Sequence, residues 1–321
     1  MAFPKAVQRD SHLTLVLNDE TQRTAGYTLT ELLGVGGSGS VYAAHKVTEG
    51  ESLKQVALKI VHKRSDTQTT RPLEEAELMR GFAHPAIPSV HESGATNDYD
   101  YFAMDLVTGW NLKALLKQNK PLPLRVAVDI AIQLCAVLEY IHGNGPQKPG
   151  TPVIHCDIKP SNVMIDPKGQ VHLIDFGISC GLKRGIHTGI SKGTAAYMAP
   201  EQITGNLLDD KTDLFCFGTL LFEMIAGKRL FSGRNIPQLL QDRLRQSNWP
   251  KPKRMQWIRG AKSGPLDPLI RQCVSHSRAD RPDSASSVLR TLKQTKRRIR
   301  RGPSLKDWLQ QSQSKTMRQA V

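Results

Sequence analysis

Short segments rich in β-branched and aromatic residues occupy the first third of the chain. Glycine-containing or polar turns separate them, and this arrangement predicts β-strands. Six segments carry the pattern: 12–17, 27–33, 40–45, 55–61, 87–91 and 100–107. The sequence LEEAELMR directly follows Pro72, and because proline suits the first turn of a helix, a short helix is predicted there.

Apolar residues recur at helical spacing after Gly109. Over 124–141, six of them would share one face of a helix: Val126, Ile130, Leu134, Val137, Leu138 and Ile141. Two more helices are predicted at 211–226 and 283–297. Strands followed by helices predict an α+β fold with a β-rich lobe, an α-rich lobe and a ligand-binding cleft between them. The expected parts are an N-terminal extension (1–26), the two lobes (27–107 and 108–297) and a C-terminal tail (298–321).

Composition places the chain among globular proteins. Of its 321 residues, 39% are hydrophobic and 23% are charged. Its five cysteines are widely spaced and odd in number, which argues for a reducing compartment rather than a disulfide framework. The first ten residues lack the apolar core of a secretion signal, and the apolar run 214–226 is too short to span a bilayer. A cytoplasmic protein without a transmembrane segment is expected.

Positive charge is concentrated near the C-terminal end. The formal net charge is +15, and from Arg290 onward ten Lys/Arg residues stand against one acidic residue, Asp307. The run KRRIRR at 296–301 could bind nucleic acid, an acidic partner or a membrane surface, although a solvated tail is the simpler interpretation. The segment 304–311 predicts a short helix that could dock on the body of the protein or on a partner. Its apolar face consists of Leu305, Trp308 and Leu309.

The first chemical motif is the glycine-rich segment LGVGGSGSV at 33–41. Its glycines fit the pattern G-x-G-x-x-G, in which a backbone without Cβ atoms can approach phosphate groups closely. A dinucleotide-binding fold would need a helix after the glycines, but the following SVYAAHKV has the pattern of a strand. A hairpin that covers a nucleotide is therefore preferred, and a plain glycine-rich turn is the alternative.

A lysine, Lys59, lies within the apolar strand VALKI. It either points to solvent by strand alternation or is held inward by an acidic partner. The helix predicted after Pro72 offers three candidate partners: Glu74, Glu75 and Glu77. A lysine held in this way would direct its ammonium group toward nucleotide phosphates.

The stretch VIHCDIKPSN at 153–162 concentrates polar and reactive side chains after an apolar pair. A metal site, a satisfied loop or a catalytic loop would each fit this crowding. Further along, Asp175 follows the apolar run VHLI and precedes Gly177, which suits a ligand of Mg²⁺. Asp157 and Asn162 offer a second carboxylate and an amide oxygen. A turn-forming role would explain any one of these residues but not all of them together.

In their order and spacing these motifs resemble those of eukaryotic-like (Hanks-type) Ser/Thr protein kinases, and the short chain is similar to bacterial members of that family. The resemblance covers about residues 27–297. It implies a bilobal protein-kinase fold, with a small β-rich N-lobe that carries one regulatory helix and a larger α-helical C-lobe. It also implies an enzyme that uses ATP and Mg²⁺ (or Mn²⁺) to phosphorylate Ser or Thr hydroxyls of protein substrates and of itself.

The resemblance assigns the catalytic chemistry to the stretch that contains Asp157. This residue would be the catalytic base, and Lys159 would touch the γ-phosphate. Asn162 and Asp175 would hold the metal ions. Thr194 is expected to hydrogen-bond the base and its lysine. The spacing of the lysine from the base favours Ser/Thr over Tyr as the acceptor.

The resemblance assigns nucleotide binding mainly to the first lobe. Lys59 would contact the α- and β-phosphates with Glu75 as its partner, and backbone groups of Asp105 and Val107 would bind adenine. The residues implied to contact the nucleotide are Leu33, Gly34, Val35, Gly36, Gly37, Ser38, Gly39, Ser40, Val41, Ala57, Lys59, Met104, Asp105 and Val107.

Two further features of the family have counterparts in the second lobe. GTAAYMAPE at 193–201 resembles the peptide-binding segment, and Glu201 is implied to pair with Arg281. Asp213 is implied to brace the catalytic loop. His155 is expected to be a structural histidine rather than a metal ligand.

The sequence departs from the family pattern in three places. Cys156 stands where most members have an arginine that binds a phosphate on the activation loop, so activity less dependent on loop phosphorylation is predicted. An insertion of unknown role precedes the catalytic loop at 146–152, and the basic tail has no family counterpart. Within the activation loop, Thr188 is the expected phosphorylation site, with Ser191 second.

A scaffold that binds nucleotide or partners without turnover is the alternative from another functional class. Such pseudokinases usually lack the strand lysine, the catalytic aspartate or the metal-binding aspartate, and all three are present here. The sequence leaves the protein substrate, the regulatory signal and the oligomeric state undetermined.

Overall fold

The chain consists of two compact units, Met1–Val107 and Thr108–Val321. In this computed structural model the described residues are 7–9, 12–18, 24–36, 39–47, 55–63, 71–96, 98–145, 152–176, 192–231, 233, 235–244, 266–299 and 301–319. Among the described residues, no helix combines the length and the hydropathy needed to cross a bilayer.

The N-terminal unit is built on one antiparallel sheet. Its elements are β1 (Val7–Arg9), β2 (His12–Asn18), β3 (Thr24–Gly36), β4 (Gly39–Val47), β5 (Gln55–His62), α1 (Arg71–Arg80), β6 (Val90–Ala95) and β7 (Tyr99–Asp105). Their order in the sheet is β1-β2-β3-β4-β5-β7-β6. The predicted strands and the helix after Pro72 are confirmed, although the strand expected at 87–91 begins only at Val90. Within the expected extension 1–26, the described residues 7–9, 12–18 and 24–26 supply β1, β2 and the start of β3 to this sheet.

Strand alternation explains the core of this unit. Leu58 and Ile60 point to one face of β5, where they pack with Tyr27 and Tyr101 in a buried cluster. Lys59 lies between them and faces the other side of the sheet. The pattern of the strand therefore determines which face its lysine occupies.

The C-terminal unit is mainly helical. Its elements are β8 (Trp110–Asn111), α2 (Leu112–Gln118), α3 (Leu124–Gly143), β9 (Val163–Ile165), β10 (Val171–Leu173), α4 (Lys192–Ala195), α5 (Pro200–Thr204), α6 (Asp210–Ala226), α7 (Ile236–Leu244), α8 (Leu266–Cys273), α9 (Ala285–Arg298) and α10 (Leu305–Gln319). Short 3₁₀ turns cover Pro160–Asn162 and Arg278–Asp280. The helices predicted at 124–141, 211–226 and 283–297 are confirmed.

Helix α6 lies at the centre of this unit and is buried along most of its length. Gly218 allows α8 to approach it closely, because a Cβ atom at this position would lie 2.5 Å from the Cβ of Cys273. On another side of the unit, α3 packs against α9 and α10. These contacts make α3 and α6 the frame on which the loops of the unit are held.

The C-terminal tail combines an exposed basic run with a docked helix. Lys296, Arg297, Arg298 and Arg301 are exposed, which agrees with the solvated interpretation of the run 296–301. Leu305, Trp308 and Leu309 are buried in the C-terminal unit, and α10 contacts α3. Burial of three large apolar side chains outweighs the repulsion expected among the basic residues of this region. The prediction of an apolar helical face in 304–311 is confirmed, and this face docks on the body of the protein.

Candidate active site

The N-terminal unit holds a buried ion pair between β5 and α1. Lys59 Nζ donates to both carboxylate oxygens of Glu75, at 2.9 and 2.7 Å, and only 3% of the lysine is exposed. Its ammonium group also lies 5.5 Å from the centre of the Phe102 ring. The solvent-facing alternative for the lysine is therefore wrong, and Glu75 is identified as its partner among the three glutamates of the helix.

The glycine-rich segment forms the end of the β3–β4 hairpin, with Gly36 opposite Gly39. Gly39 has a φ of +116°, and a Cβ atom there would lie 2.4 Å from the carbonyl oxygen of Ile60. Only glycine fits that position without a shift of the backbone. Gly34 has open space around its Cβ position, so packing within the unit does not require glycine there. Gly37 and Ser38 lie outside the described residues.

The residues implied to bind adenine lie at the end of β7. Met104 pairs with Ala57 across the sheet. The backbone N–H of Asp105 donates to the Ser89 carbonyl at 3.0 Å, and its carboxylate accepts bonds from the Ser89 N–H and His91 Nε2. Burial raises the pKa of this carboxyl, but the hydrogen bonds from Ser89 and the nearby His91 together lower it by more. The pKa therefore lies below its ordinary value. Adenine binding by this segment stays a prediction.

Asp213 of α6 holds the backbone of the catalytic loop in the C-terminal unit. Its two carboxylate oxygens accept bonds from the N–H groups of His155 and Cys156, both at 2.8 Å. This confirms the bracing role predicted for it. A third partner is His142 at the end of α3, whose Nε2 lies 2.9 Å from the same carboxylate.

The loop held in this way groups the predicted catalytic side chains. Lys159 Nζ donates to Asp157 Oδ2 and, at 3.0 Å, to Thr194 Oγ1. Asn162 Nδ2 donates to the backbone oxygen and to Oδ2 of Asp157, each at 3.0 Å. The predicted bond between Thr194 and the lysine is confirmed. One carboxylate thus has a cation on one side and an amide on the other.

Burial controls the protonation of this carboxylate. Only 6% of Asp157 is exposed, and burial raises its pKa to about 6, although the charge and hydrogen bond of Lys159 lower it. The negative charge of Asp175 adds to the increase. A carboxylate with a pKa near 6 is ionised at neutral pH and is a better proton acceptor than an exposed aspartate.

Asp175 and Asn162 supply oxygen atoms suited to a hard cation. Both bonds of Asn162 Nδ2 go to Asp157, which leaves Oδ1 as the acceptor atom, 3.3 Å from Ser161 Oγ. Asp175 is half-buried and has a φ of 66°, a left-handed conformation that non-glycine residues adopt mainly where the surroundings impose it. Mixed carboxylate and amide oxygens are a donor set that Mg²⁺ accepts, so these residues fit the implied metal.

His155 and Cys156 fill structural positions beside Asp157. The Asp157 N–H donates to His155 Nδ1 at 3.2 Å, and the imidazole lies 4.7 Å from the Phe176 ring. Burial lowers the pKa of this histidine, so its ring is neutral and structural, as predicted. Cys156 is fully buried with a φ of 64° and directs its thiol toward the Ile154 carbonyl. Among the described residues, no cluster of three or more His, Cys, Asp or Glu side chains could hold a metal.

A buried ion pair holds Glu201, the last residue of the predicted peptide-binding segment. Arg281 donates to both oxygens of Glu201, at 2.6 and 2.9 Å, and Thr212 Oγ1 donates to the same carboxylate at 2.9 Å. Burial raises the pKa of Glu201, but the bonds and charge of Arg281 lower it more, so the pKa lies below its ordinary value. The predicted pairing is confirmed.

Some predictions fall on residues outside the described part of the chain. Thr188 and Ser191 belong to the stretch 177–191, which is not described. Residues 146–151 of the insertion at 146–152 are also outside the described part of the chain. Phosphorylation of the loop and the role of the insertion therefore stay predictions.

Sequence reasoning missed two residues that support the catalytic loop. His142 has no motif around it, and only the contact with Asp213 shows its position. Gln202 Nε2 donates to the Cys156 carbonyl at 2.7 Å, and its oxygen accepts from the Ala199 N–H at 2.8 Å. Its position directly after the segment 193–201 was the only signal in the sequence, and it was a weak one.

Comparison with known proteins identifies the family. Residues 27–292 match the protein kinase domain. PknD of Mycobacterium tuberculosis, a serine/threonine-protein kinase, is 32% identical over 267 residues, which cover 82% of this chain and 38% of that protein. PrkC of Bacillus subtilis, of the same class, is 30% identical over 230 residues, which cover 71% of this chain and 34% of that protein.

A third relative is the serine/threonine-protein kinase PknA of Mycobacterium tuberculosis, which is 32% identical over 236 residues, or 70% of this chain. The chain spans between 34% and 52% of the length of these three relatives. The family match covers most of the chain and includes both the Lys59–Glu75 pair and the Asp157 loop. The chain therefore belongs to the protein kinase domain family and is similar, within it, to the Hanks-type Ser/Thr kinases of bacteria.

Proposed function

We propose that this chain is an ATP- and Mg²⁺-dependent protein kinase that phosphorylates Ser or Thr hydroxyls of protein substrates and of itself. The observation that carries the proposal is the buried group around Asp157, in which a carboxylate of raised pKa lies beside Lys159 and Asn162. The names of the related serine/threonine-protein kinases support the same activity. The intact ion pair of Lys59 supports turnover rather than the scaffold alternative.

In this mechanism Asp157 orients the acceptor hydroxyl and accepts its proton. The hydroxyl oxygen bonds to the γ-phosphorus while the bond from that phosphorus to the β-phosphate oxygen breaks, so the products are a phosphoprotein and ADP. Lys159 offsets negative charge that develops on the transferred group, and Thr194 helps to hold this lysine in place. Positioning and charge stabilisation supply most of the acceleration.

The nucleotide is held, in this proposal, by residues of the N-terminal unit. Glu75 fixes the Lys59 ammonium for contact with the α- and β-phosphates, and backbone groups of Asp105 and Val107 bind adenine. Asn162 and Asp175 would hold Mg²⁺, which when bound would offset the charge of the phosphates. The β3–β4 hairpin brings N–H groups close to the phosphates because its glycines carry no Cβ atom.

The proposal also includes a cytoplasmic location and a protein substrate. The widely spaced, odd number of cysteines supports a reducing, cytoplasmic setting. The substrate is a protein with an accessible Ser or Thr. Binding of nucleic acid or of an acidic partner by the basic tail stays a prediction.

Replacing Lys59 by methionine tests the proposed function. Incorporation of ³²P from [γ-³²P]ATP into a generic basic protein is expected to fall about a hundredfold, because an electrostatic contact to the phosphates is lost. Lys46→Met is the matched control, since Lys46 lies in the same unit and forms a partly exposed ion pair with Glu92, with 43% and 28% of the two side chains exposed. It is expected to keep wild-type activity.

Mass spectrometry of the same reaction is expected to locate phosphate on Ser or Thr of the substrate and of the kinase. Equal incorporation by wild type and Lys59→Met would refute the mechanism. Absence of incorporation by the wild type would favour the nucleotide-binding scaffold.

Phosphatase treatment is expected to leave most of the activity in place. Cys156 is buried and its thiol faces the Ile154 carbonyl, so this position offers no guanidinium for a phosphate on the activation loop. The measurement is the initial rate before and after treatment, with mass spectrometry of Thr188 and Ser191 as the check that phosphate was removed. A loss of rate in proportion to the phosphate removed would contradict this prediction.

Activity is expected to depend on pH through Asp157. Because its pKa is about 6, the base is ionised above this pH and protonated below it, so kcat/KM should fall about tenfold per pH unit on the acid side. The profile is measured between pH 5 and pH 8, at temperatures where circular dichroism shows the protein folded. A flat profile through pH 6 would remove the carboxylate from the proton transfer.

A further inference from the structure

The tail helix α10 lies beyond the residues that match the family, which end at 292, yet it is an integral part of the C-terminal unit. Leu305 is 3% exposed, Trp308 is 8% exposed and Leu309 is 1% exposed. Helix α10, which carries these side chains, contacts α3. An appended segment that buries its whole apolar face has a fixed position rather than a transient one.

The first turn of α10 is anchored by polar contacts as well. The N–H of Leu305 donates to Asp129 Oδ2 of α3 at 3.1 Å, and Lys296 Nζ of α9 lies 2.7 Å from the other oxygen of this buried carboxylate. Ser304 Oγ accepts from the Asp307 N–H, as in an N-terminal helix cap. These contacts fix the position and the register of the helix on α3.

The same turn of α10 lies against the β9–β10 hairpin. At Gly169, in the turn between these strands, a Cβ atom would lie 3.5 Å from the Lys306 backbone nitrogen. Gln133 of α3 holds the turn through two hydrogen bonds. Its Nε2 donates to the Gly169 carbonyl at 2.9 Å, and its Oε1 accepts from the Val171 N–H at 3.0 Å. The hairpin turn is thus enclosed between α3 and α10.

The opposite end of this hairpin carries the two residues proposed to hold the metal. Asn162 directly precedes β9, and Asp175 comes two residues after the end of β10. The Ile174 N–H donates to the Asn162 carbonyl at 2.9 Å, which joins the two ends. Strands of three residues are too short to be stable by themselves, so their geometry depends on what packs around them.

We propose that α10 is an intramolecular brace that positions Asn162 and Asp175 through the β9–β10 hairpin. Leu305 and Trp308 act as positioning residues, because they hold the helix against the elements that enclose the Gly169 turn. The role of the brace in metal binding rests on the proposed function. The effect of the brace on the hairpin can be measured independently of enzyme activity.

Replacing Trp308 by alanine in the full chain tests this proposal. Hydrogen exchange of the amides in 163–173 is expected to become about tenfold faster, and the apparent KM for Mg²⁺ at saturating ATP to rise about tenfold, while kcat changes less. The matched control is Lys306→Ala on the same helix. This side chain is exposed, and alanine keeps the backbone and Cβ atom that face Gly169, so wild-type values are expected.

Exchange in α6 reports whether the variant is unfolded as a whole, and it is expected to stay unchanged. If Trp308→Ala does not fold, Asp129→Asn weakens the anchor of the helix from the α3 side and is expected to give the same two effects at smaller size. Unchanged exchange in 163–173 in whichever variant folds would overturn the brace. A wild-type protein that transfers no phosphate would defeat the proposed function, while the exchange measurement would still decide the brace.

Discussion

Replacing Asp157 by asparagine is expected to reduce phosphate transfer by about a thousandfold, because the variant has no group to accept the proton of the acceptor hydroxyl. The neighbouring contacts survive the change, since an asparagine oxygen can still accept from Lys159 and Asn162. The loss is therefore expected mainly in kcat. Nucleotide affinity, measured by the binding of a fluorescent ATP analogue, should change little.

The same replacement is expected to stabilise the protein at neutral pH. Burial raises the pKa of Asp157 from 3.8 to about 6, so the folded state binds the proton more tightly than the unfolded state does. Stability consequently falls as the pH rises from about 4 to about 6 and stays lower above that window. An asparagine has no charge to bury, so the variant should gain up to about 3 kcal/mol in its free energy of unfolding above pH 6.

Urea unfolding at pH 4 and at pH 7.5 measures this effect. The gain of Asp157→Asn in the free energy of unfolding over the wild type should be present at pH 7.5 and nearly absent at pH 4. Asp98→Asn is the control, because Asp98 is exposed and its loss should alter neither stability nor activity. A variant that is inactive and also less stable at pH 7.5 would contradict this prediction. It would show that the Asp157 carboxylate stabilises the fold, instead of lowering the free energy of unfolding in exchange for catalysis.

Replacing Arg281 by methionine is expected to lower the free energy of unfolding by about 3–5 kcal/mol, because Glu201 would be left as a buried, unpaired charge. Arg281 is 3% exposed, donates to both carboxylate oxygens and lies 4.9 Å from the Phe215 ring. The pKa of Glu201, now below its ordinary value, should rise in the variant. Part of the loss should then be recovered as the pH is lowered and the carboxylate becomes neutral.

Arg278→Met provides the matched comparison in the same segment. Arg278 forms an ion pair with Asp209 at 3.0 Å, but both side chains are more than one third exposed. Solvent screens such a pair, and its loss is expected to cost about 1 kcal/mol or less. Urea unfolding of the two variants measures both values. Equal losses would mean that the burial of the Glu201 pair contributes nothing.

Much of the candidate site could be predicted because its residues lie close together in the chain. Asp157, Lys159 and Asn162 fall within one loop, so local spacing was enough to group them. The same reasoning could not choose among Glu74, Glu75 and Glu77 as the partner of Lys59. That choice depends on the rotation of α1 relative to β5, which is set by packing and not by any local pattern.

Residues that act across long distances in the chain were harder to predict. His142 contacts Asp213 on another helix, and no short motif connects them. The tail is a second case, since the sequence left open whether the face formed by Leu305, Trp308 and Leu309 docks on the protein or on a partner. The structure buries these side chains in the C-terminal unit, where α10 contacts α3, because removing apolar area from water is favourable.

The sequence by itself determined the order of strands and helices, the glycine-rich hairpin and the grouping of the side chains proposed to be catalytic, because each of these follows from residue type and short-range spacing. Only the tertiary structure decided that Glu75 faces Lys59 and that burial raises the pKa of Asp157. It also decided that a basic tail packs as a helix beside the hairpin leading to Asp175. These properties depend on which surfaces meet and on how much water they exclude, and neither quantity is encoded in a short stretch of residues.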